Sequence, residues 1–196
     1  MRTIKIVVNG TAHDVEVEDR TLLSDLIRHD LRLTGTHVSC EQGVCGSCTI
    51  LLDGRPVRSC LMLAVQAEGH EVETVESLSG GEATPESLTS LQRAMSDQHG
   101  LQCGFCTPGI LMSVTAAQRD GLDAEETIAE VLGGHVCRCT GYRASAPRSG
   151  RCCHESHRAP VNRVADHVLL TGNARYVDDL QLAGMLHATV LRAPVA

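Results

Sequence analysis

Cys40-Glu41-Gln42-Gly43-Val44-Cys45-Gly46-Ser47-Cys48 places three thiols at C-x4-C-x2-C, and Cys60 follows beyond a turn. This spacing suits a [2Fe–2S] cluster held by four thiolates. Such a cluster carries net negative charge and bridging sulfides, so it needs backbone N–H donors close by. Gly43, Gly46 and Ser47 leave room for that approach where larger side chains would intrude. A structural zinc site is the competing reading, but it ordinarily presents two C-x2-4-C knuckles, which this stretch lacks.

The flanking sequence predicts the scaffold. Upstream, Ile4, Ile6 and Val8 alternate with other residues, Asn9-Gly10 supplies a tight turn, and Val15 and Val17 alternate again, which predicts a β-hairpin. Leu22, Leu23, Leu26, Ile27 and Leu31 recur at helical spacing, with Asp19 or Thr21 available as N-cap. Downstream, residues 49–52, the turn Asp53-Gly54 and Val57 predict a second hairpin, and Val72 and Val75 a last short strand. Hairpin, helix, hairpin and strand is the order of a β-grasp sheet wrapped on one helix. The polar, glycine-containing stretch from Glu76 to Thr84 reads as a linker, and the Glu71, Glu73, Glu76 series as a solvated face.

Beyond the linker the pattern is helical. Thr84-Pro85 opens a first helix carrying Leu88, Leu91 and Met95, with Gly100 as its stop. Thr107-Pro108 opens a second, striped by Ile110, Leu111, Val114 and Ala117, with Gly121 at its end. A third runs from Asp123, paired with Glu126 as a capping box, to Gly133-Gly134. The fold class is therefore α+β, a sheet domain followed by an incomplete helical bundle.

Four more thiols belong to this half: Cys103-x2-Cys106 and Cys137-x-Cys139. Cys106 precedes a helix start, where free N–H groups favour a thiolate. Spacing alone leaves zinc open here; Phe105 and Tyr142 beside the ligands supply apolar cover that suits a redox centre. Cys152 and Cys153, with His154 and His157, imitate a third site, but adjacent cysteines chelate one ion badly. The other histidines receive no function.

Ten cysteines and no leading apolar segment point to a reducing, cytoplasmic setting in which thiols serve metals rather than disulfides. No apolar run approaches ~18 residues, which argues against a membrane span. A formal net charge of −7 argues against a nucleic-acid partner. With 2% aromatic residues, the cores must be built from Val, Leu, Ile and Ala.

Together with Gln102-Cys103-Gly104-Phe105-Cys106-Thr107-Pro108-Gly109 and Cys137-Arg138-Cys139-Thr140-Gly141-Tyr142, the first motif resembles the iron–sulfur subunit of the molybdenum hydroxylases, the family of xanthine dehydrogenase, aldehyde oxidoreductase and aerobic carbon monoxide dehydrogenase. The resemblance implies a plant-ferredoxin-like domain over residues 1–76 and a helical-bundle [2Fe–2S] domain over 84–143. It implies metal ligation by Cys40, Cys45, Cys48 and Cys60 and by Cys103, Cys106, Cys137 and Cys139. It also implies contact of Gln102 and Cys139 with the pterin of a molybdopterin cofactor borne by a large partner subunit. Electrons would leave molybdenum through the second cluster, pass to the first, and go on to a flavin (FAD) subunit or another acceptor. No residue here is assigned a catalytic role in the hydroxylation of an aldehyde or N-heterocycle. A free two-cluster ferredoxin and a zinc-stabilised interaction module are the rival classes.

Residues 161–196, with Leu170-Thr171-Gly172-Asn173-Ala174-Arg175-Tyr176-Val177-Asp178-Asp179, resemble the opening of the molybdenum-binding subunit, as in a fused protein without a flavin domain between. Residues 144–160 fit neither part. Ala144 to Arg158 contains no Leu, Ile, Val or Met, and Pro147 and Gly150 fall where the family has a helix. This interval is expected to be an anomalous linker translated out of frame, and the tail beyond it to be disordered for want of its large domain.

Overall fold

The computed structural model describes residues 1–122, 125–142 and 163–186. Strands β1 (Arg2–Val8) and β2 (Thr11–Val17) form an antiparallel hairpin across Asn9-Gly10, whose φ angles of 50° and 75° are those of the predicted tight turn. β3 (Thr49–Leu52) and β4 (Arg55–Arg58) form the second hairpin across Asp53-Gly54. β5 (Glu71–Glu73) enters between the hairpins, parallel to β1 and antiparallel to β3, giving the mixed order β2-β1-β5-β3-β4.

Helix α1 (Leu23–Asp25) continues as a π-turn over Leu26–Asp30 and lays Leu23, Leu26 and Ile27 on the sheet. Neither Asp19 nor Thr21 caps it. Leu22 holds the cap position with no side-chain bond, because the backbone there is already paired: Leu23 N–H donates to Met62 O at 2.8 Å and Ala64 N–H to Thr21 O at 2.8 Å.

The helical half differs from expectation in its first element. Helix α2 is Ser90–Asp97, not a helix opened by Pro85. Its start is a capping box in which the Thr89 hydroxyl accepts from Gln92 N–H and the Gln92 side chain accepts from Thr89 N–H. Thr84 instead closes a local turn with Ser87. Helix α3 (Thr107–Arg119) has Cys106, not Thr107, at its cap position. Helix α4 spans Glu125–Gly133. The expected Asp123 cap and residues 144–160 lie outside the described residues.

The two halves share a core. Along β3, Ile50 joins the first cluster with Ile4, Val8, Ile27 and Val72, whereas Leu51, on the opposite face, joins Val75, Leu101, Leu111 and Met112 in the second. Helix α3 packs directly on β3. The stretch read as a linker is correspondingly engaged. Val75–Ser79 forms a 3-10 turn, and Glu76 is buried, accepting bonds from Gly35 N–H at 2.9 Å and the Thr74 hydroxyl at 2.6 Å. Burial holds the Glu76 carboxyl above the usual range.

The tail is also packed, contrary to the expectation of disorder, over residues 163–179, while 180–186 are exposed. Helix α5 (Asp166–Leu170) lies against α2 and α3, Leu170 is fully buried, and Gln92 Nε2 donates to its carbonyl at 2.9 Å. Leu51→Ala should cost about 2–5 kcal/mol. Because Leu51 ties the sheet to the helices, urea melts followed by far-UV circular dichroism and by visible absorption should shift to lower midpoints together.

Candidate iron–sulfur site

The first four thiols are gathered by a turn and a hairpin. Glu41, Gly43 and Gly46 all adopt positive φ, curling the loop so that Gln42 N–H and Cys45 N–H point at Cys40 Sγ from 3.4 and 3.3 Å. The register Thr49↔Arg58 sets Cys48 beside Ser59, whose N–H and hydroxyl donate to Cys48 O at 3.2 and 2.8 Å, and this brings Cys60 against Cys48. Cys48 and Cys60 are buried.

The second four are gathered by a helix pair. Helices α3 and α4 pack through Ile110, Val114, Ile128 and Leu132, so the end of α4 returns to the start of α3 and meets Cys106. Cys137 lies against Cys106, and Cys139 Sγ lies 3.4 Å from Cys103 Sγ. Tyr142 contributes through its hydroxyl rather than as apolar cover alone, accepting from Cys137 N–H at 2.7 Å and donating to His135 O at 2.6 Å.

Both loops therefore present their thiols two by two, Cys40 with Cys45 and Cys48 with Cys60 in one, Cys106 with Cys137 and Cys103 with Cys139 in the other. A [2Fe–2S] cluster takes two thiolates on each of its irons, whereas a structural zinc needs four on one ion. The donor set fits the former.

The electrostatics separate the thiols. The N–H groups of Cys45 and Gln42 bring the Cys40 thiol down to about 6. Burial, reinforced by the neighbouring Cys48, pushes Cys60 up to about 12, and burial with Cys137 alongside does the same to Cys106. The helix start at Cys106 does not lower its thiol, since desolvation outweighs the few free N–H groups. Exposure separates them as well: Cys103 and Cys139, with Gln102, are exposed, while the sheet-domain thiols are buried or half-buried.

Two histidines left without a function at the sequence level prove structural to the site. His135 is buried, its Nε2 2.9 Å from Ser113 Oγ, and burial lowers it to about 4. His37 is buried against Phe105, with its Nδ1–H donating to Phe105 O at 2.7 Å. Burial is the largest influence lowering it. The two ligand loops touch directly. Val136 N–H donates to Cys45 O at 2.9 Å, and Arg58 donates to Gly134 O at 2.7 Å. A Cβ on Gly109 would stand 2.2 Å from Gly46 O, so this contact is open only to glycine.

Residues 6–79 match the family described as 2Fe-2S iron-sulfur cluster binding domain, and residues 74–146 that described as [2Fe-2S] binding domain. Caffeine dehydrogenase subunit gamma from Pseudomonas sp. (strain CBB1) is 54% identical over 144 residues, covering 71% of this chain and 84% of that protein. The chain belongs to the iron–sulfur subunits of the molybdenum hydroxylases. It is an electron-transfer component of an oxidoreductase. The solved quinoline 2-oxidoreductase from Pseudomonas putida 86 aligns at 47% identity with a TM-score of 0.67, over 73% of this chain and 86% of that one. Aldehyde oxidoreductase from Desulfovibrio gigas aligns at 30% identity with a TM-score of 0.77, over 91% of this chain but 22% of its own. No helix among the described residues is long and apolar enough to cross a membrane.

In protein freed of iron, Cys40 should alkylate first at pH 7, because its thiol is then largely ionised while Cys60 and Cys106 are not. Its lead should shrink as pH falls below about 6. Peptide mapping after brief iodoacetamide treatment measures both.

Proposed function

We propose that Cys40, Cys45, Cys48 and Cys60 hold one [2Fe–2S] cluster and Cys103, Cys106, Cys137 and Cys139 a second, each exchanging one electron. The chain then carries electrons from a molybdopterin site on a molybdenum-binding subunit or domain to a flavin (FAD) subunit or another acceptor. In this reading residues 1–76 are a plant-ferredoxin-like β-grasp domain and 84–143 a helical-bundle domain.

The observation that carries the proposal is the pairing of the thiols in two sets joined by one hydrogen bond. From Cys137 the backbone leads to Val136, whose N–H meets the Cys45 carbonyl at 2.9 Å. A ligand of each set is thus connected by covalent bonds and one short hydrogen bond. Arg58 and the Gly46–Gly109 contact keep that link from opening. At the other end, Gln102, Cys103 and Cys139 are exposed, with the two thiols 3.4 Å apart. That is the open side on which Gln102 and Cys139 would meet the partner's pterin.

The substrate class proposed for the assembled enzyme is an N-heterocycle, with aldehydes second. The relatives named for caffeine and quinoline are 54% and 47% identical, the one named for aldehydes 30%. Alignment with that last protein over 91% of this chain supports residues 161–196 as the start of a molybdenum-binding part fused to the cluster domains. Residues 144–160 are then the misfit, and translation of the coding DNA in its other two frames should yield an apolar-striped helix there; absence of one in either frame makes the interval a genuine linker.

Metal analysis should return about four irons and four sulfides per chain, and zinc in their place would refute the assignment. Cys48→Ser and Cys139→Ser should each abolish a different EPR signal in the dithionite-reduced protein. Gln102→Ala should keep both signals while slowing turnover of the assembled enzyme.

A further inference from the structure

Residues 102–105, which include one ligand and adjoin another, are held along their length by the C-terminal segment. The Arg163 guanidinium donates to Gln102 O at 2.7 Å and bonds Asp166 at 2.8 Å, and the buried Asp166 accepts from Ser96 on α2 at 3.0 Å. The Tyr176 hydroxyl donates to Cys103 O at 2.7 Å. Leu169 lies over Gly104, where a Cβ would meet it at 2.7 Å. The Tyr176 ring meets Phe105 edge-on at 5.4 Å, and His37, stacked on Phe105 at 4.8 Å, meets Tyr176 at 4.9 Å.

The segment is anchored at its far end as well. Asp179 bonds Arg28 at 2.5 Å with both side chains largely buried, and Arg28 also donates to the carbonyls of Thr34 and Thr36. Asp179 in addition accepts from Tyr176 N–H at 2.9 Å, which ties the anchor to the residue on the loop. Both cluster-domain families end by residue 146, so these contacts come from outside either of them.

We propose that residues 163–179 are a built-in clamp on the 102–105 loop, in which Arg163 and Tyr176 are positioning residues that set the solvent access and reduction potential of the cluster held there. The inference rests on the two-cluster reading above. Its physical basis is that the potential of an iron–sulfur cluster follows the hydrogen bonds to its sulfurs and its exposure to water. Both bonds go to backbone carbonyls and not to a thiol. They fix the carbonyls of Gln102 and Cys103, and thereby the short loop that carries the Phe105 N–H bonded to the Cys103 thiol. With either bond removed, the loop gains freedom and admits water, which favours the more negatively charged reduced state and raises the potential.

The test uses the full-length chain with both clusters, comparing the parent with Tyr176→Phe, which deletes only the hydroxyl, and Arg163→Met, which acts from a half-exposed position. EPR-monitored redox titration and the rate of cluster bleaching in air are the readouts. In both variants the midpoint of the second cluster should move upward and its signal should bleach severalfold faster, with the first cluster unchanged. Midpoints and bleaching rates equal to the parent's, with both clusters at full iron, would overturn the clamp. Equal displacement of both clusters would also overturn it, as general loosening. Iron for one cluster only in the parent would instead bring down the two-cluster assignment on which it rests.

Discussion

The hydrogen bond from Val136 N–H to Cys45 O joins the two ligand loops, and much of the molecule is arranged to keep it. For the loops to come so close, the first turn of α3 must press on the backbone of the 46–47 stretch, which only Gly109 permits. The same approach leaves no room for a side chain on Gly46, where a Cβ would stand 2.4 Å from His135 Nδ1. Arg58 then spans from the second hairpin to the end of α4, bonding Thr49 and Gly134. Electron transfer between two centres demands a fixed, short separation, and a hinged pair of domains would not supply it.

Rigidity between the halves comes from burying the sheet on both faces. α1 covers one face and α3 the other, so β3 reads as a continuous apolar run, Ile50-Leu51-Leu52, in place of the alternation of a half-exposed strand. Glu76 is the exception within the buried junction. Its carboxyl is tolerated because Gly35 N–H and the Thr74 hydroxyl satisfy it, and its raised pKa records the remaining desolvation cost. A solvated acid and a buried one cannot be told apart by residue type, since Glu76 simply follows Glu71 and Glu73 along one short polar stretch.

The distribution of exposure has a functional meaning. The sheet-domain thiols are buried or half-buried, while Cys103 and Cys139 remain open on a surface shared with Gln102. An electron carrier must bring one cluster near each partner, and a partner that covers the open side would complete its desolvation. The C-terminal segment already covers the rest of that loop, approaching from the side of Tyr176 and Leu169.

The sequence by itself determined the thiol sets, the two tight turns at Asn9-Gly10 and Asp53-Gly54, the apolar stripes and the order of elements. These are local properties, written in spacing and in residues that tolerate positive φ. It misplaced the start of α2, because Thr84-Pro85 and Thr89-x-x-Gln92 are both credible openings and only packing of Leu91, Gln92 and Met95 selects the second. Tertiary structure alone decided that Glu76 is buried, that His37 and His135 brace the cysteine loops, that Cys103 and Cys139 are the open thiols, and that residues 163–179 pack on the body. Each depends on which distant surface a residue meets, as Arg28 meets Asp179 across the fold, and such pairings leave no periodic trace along one chain.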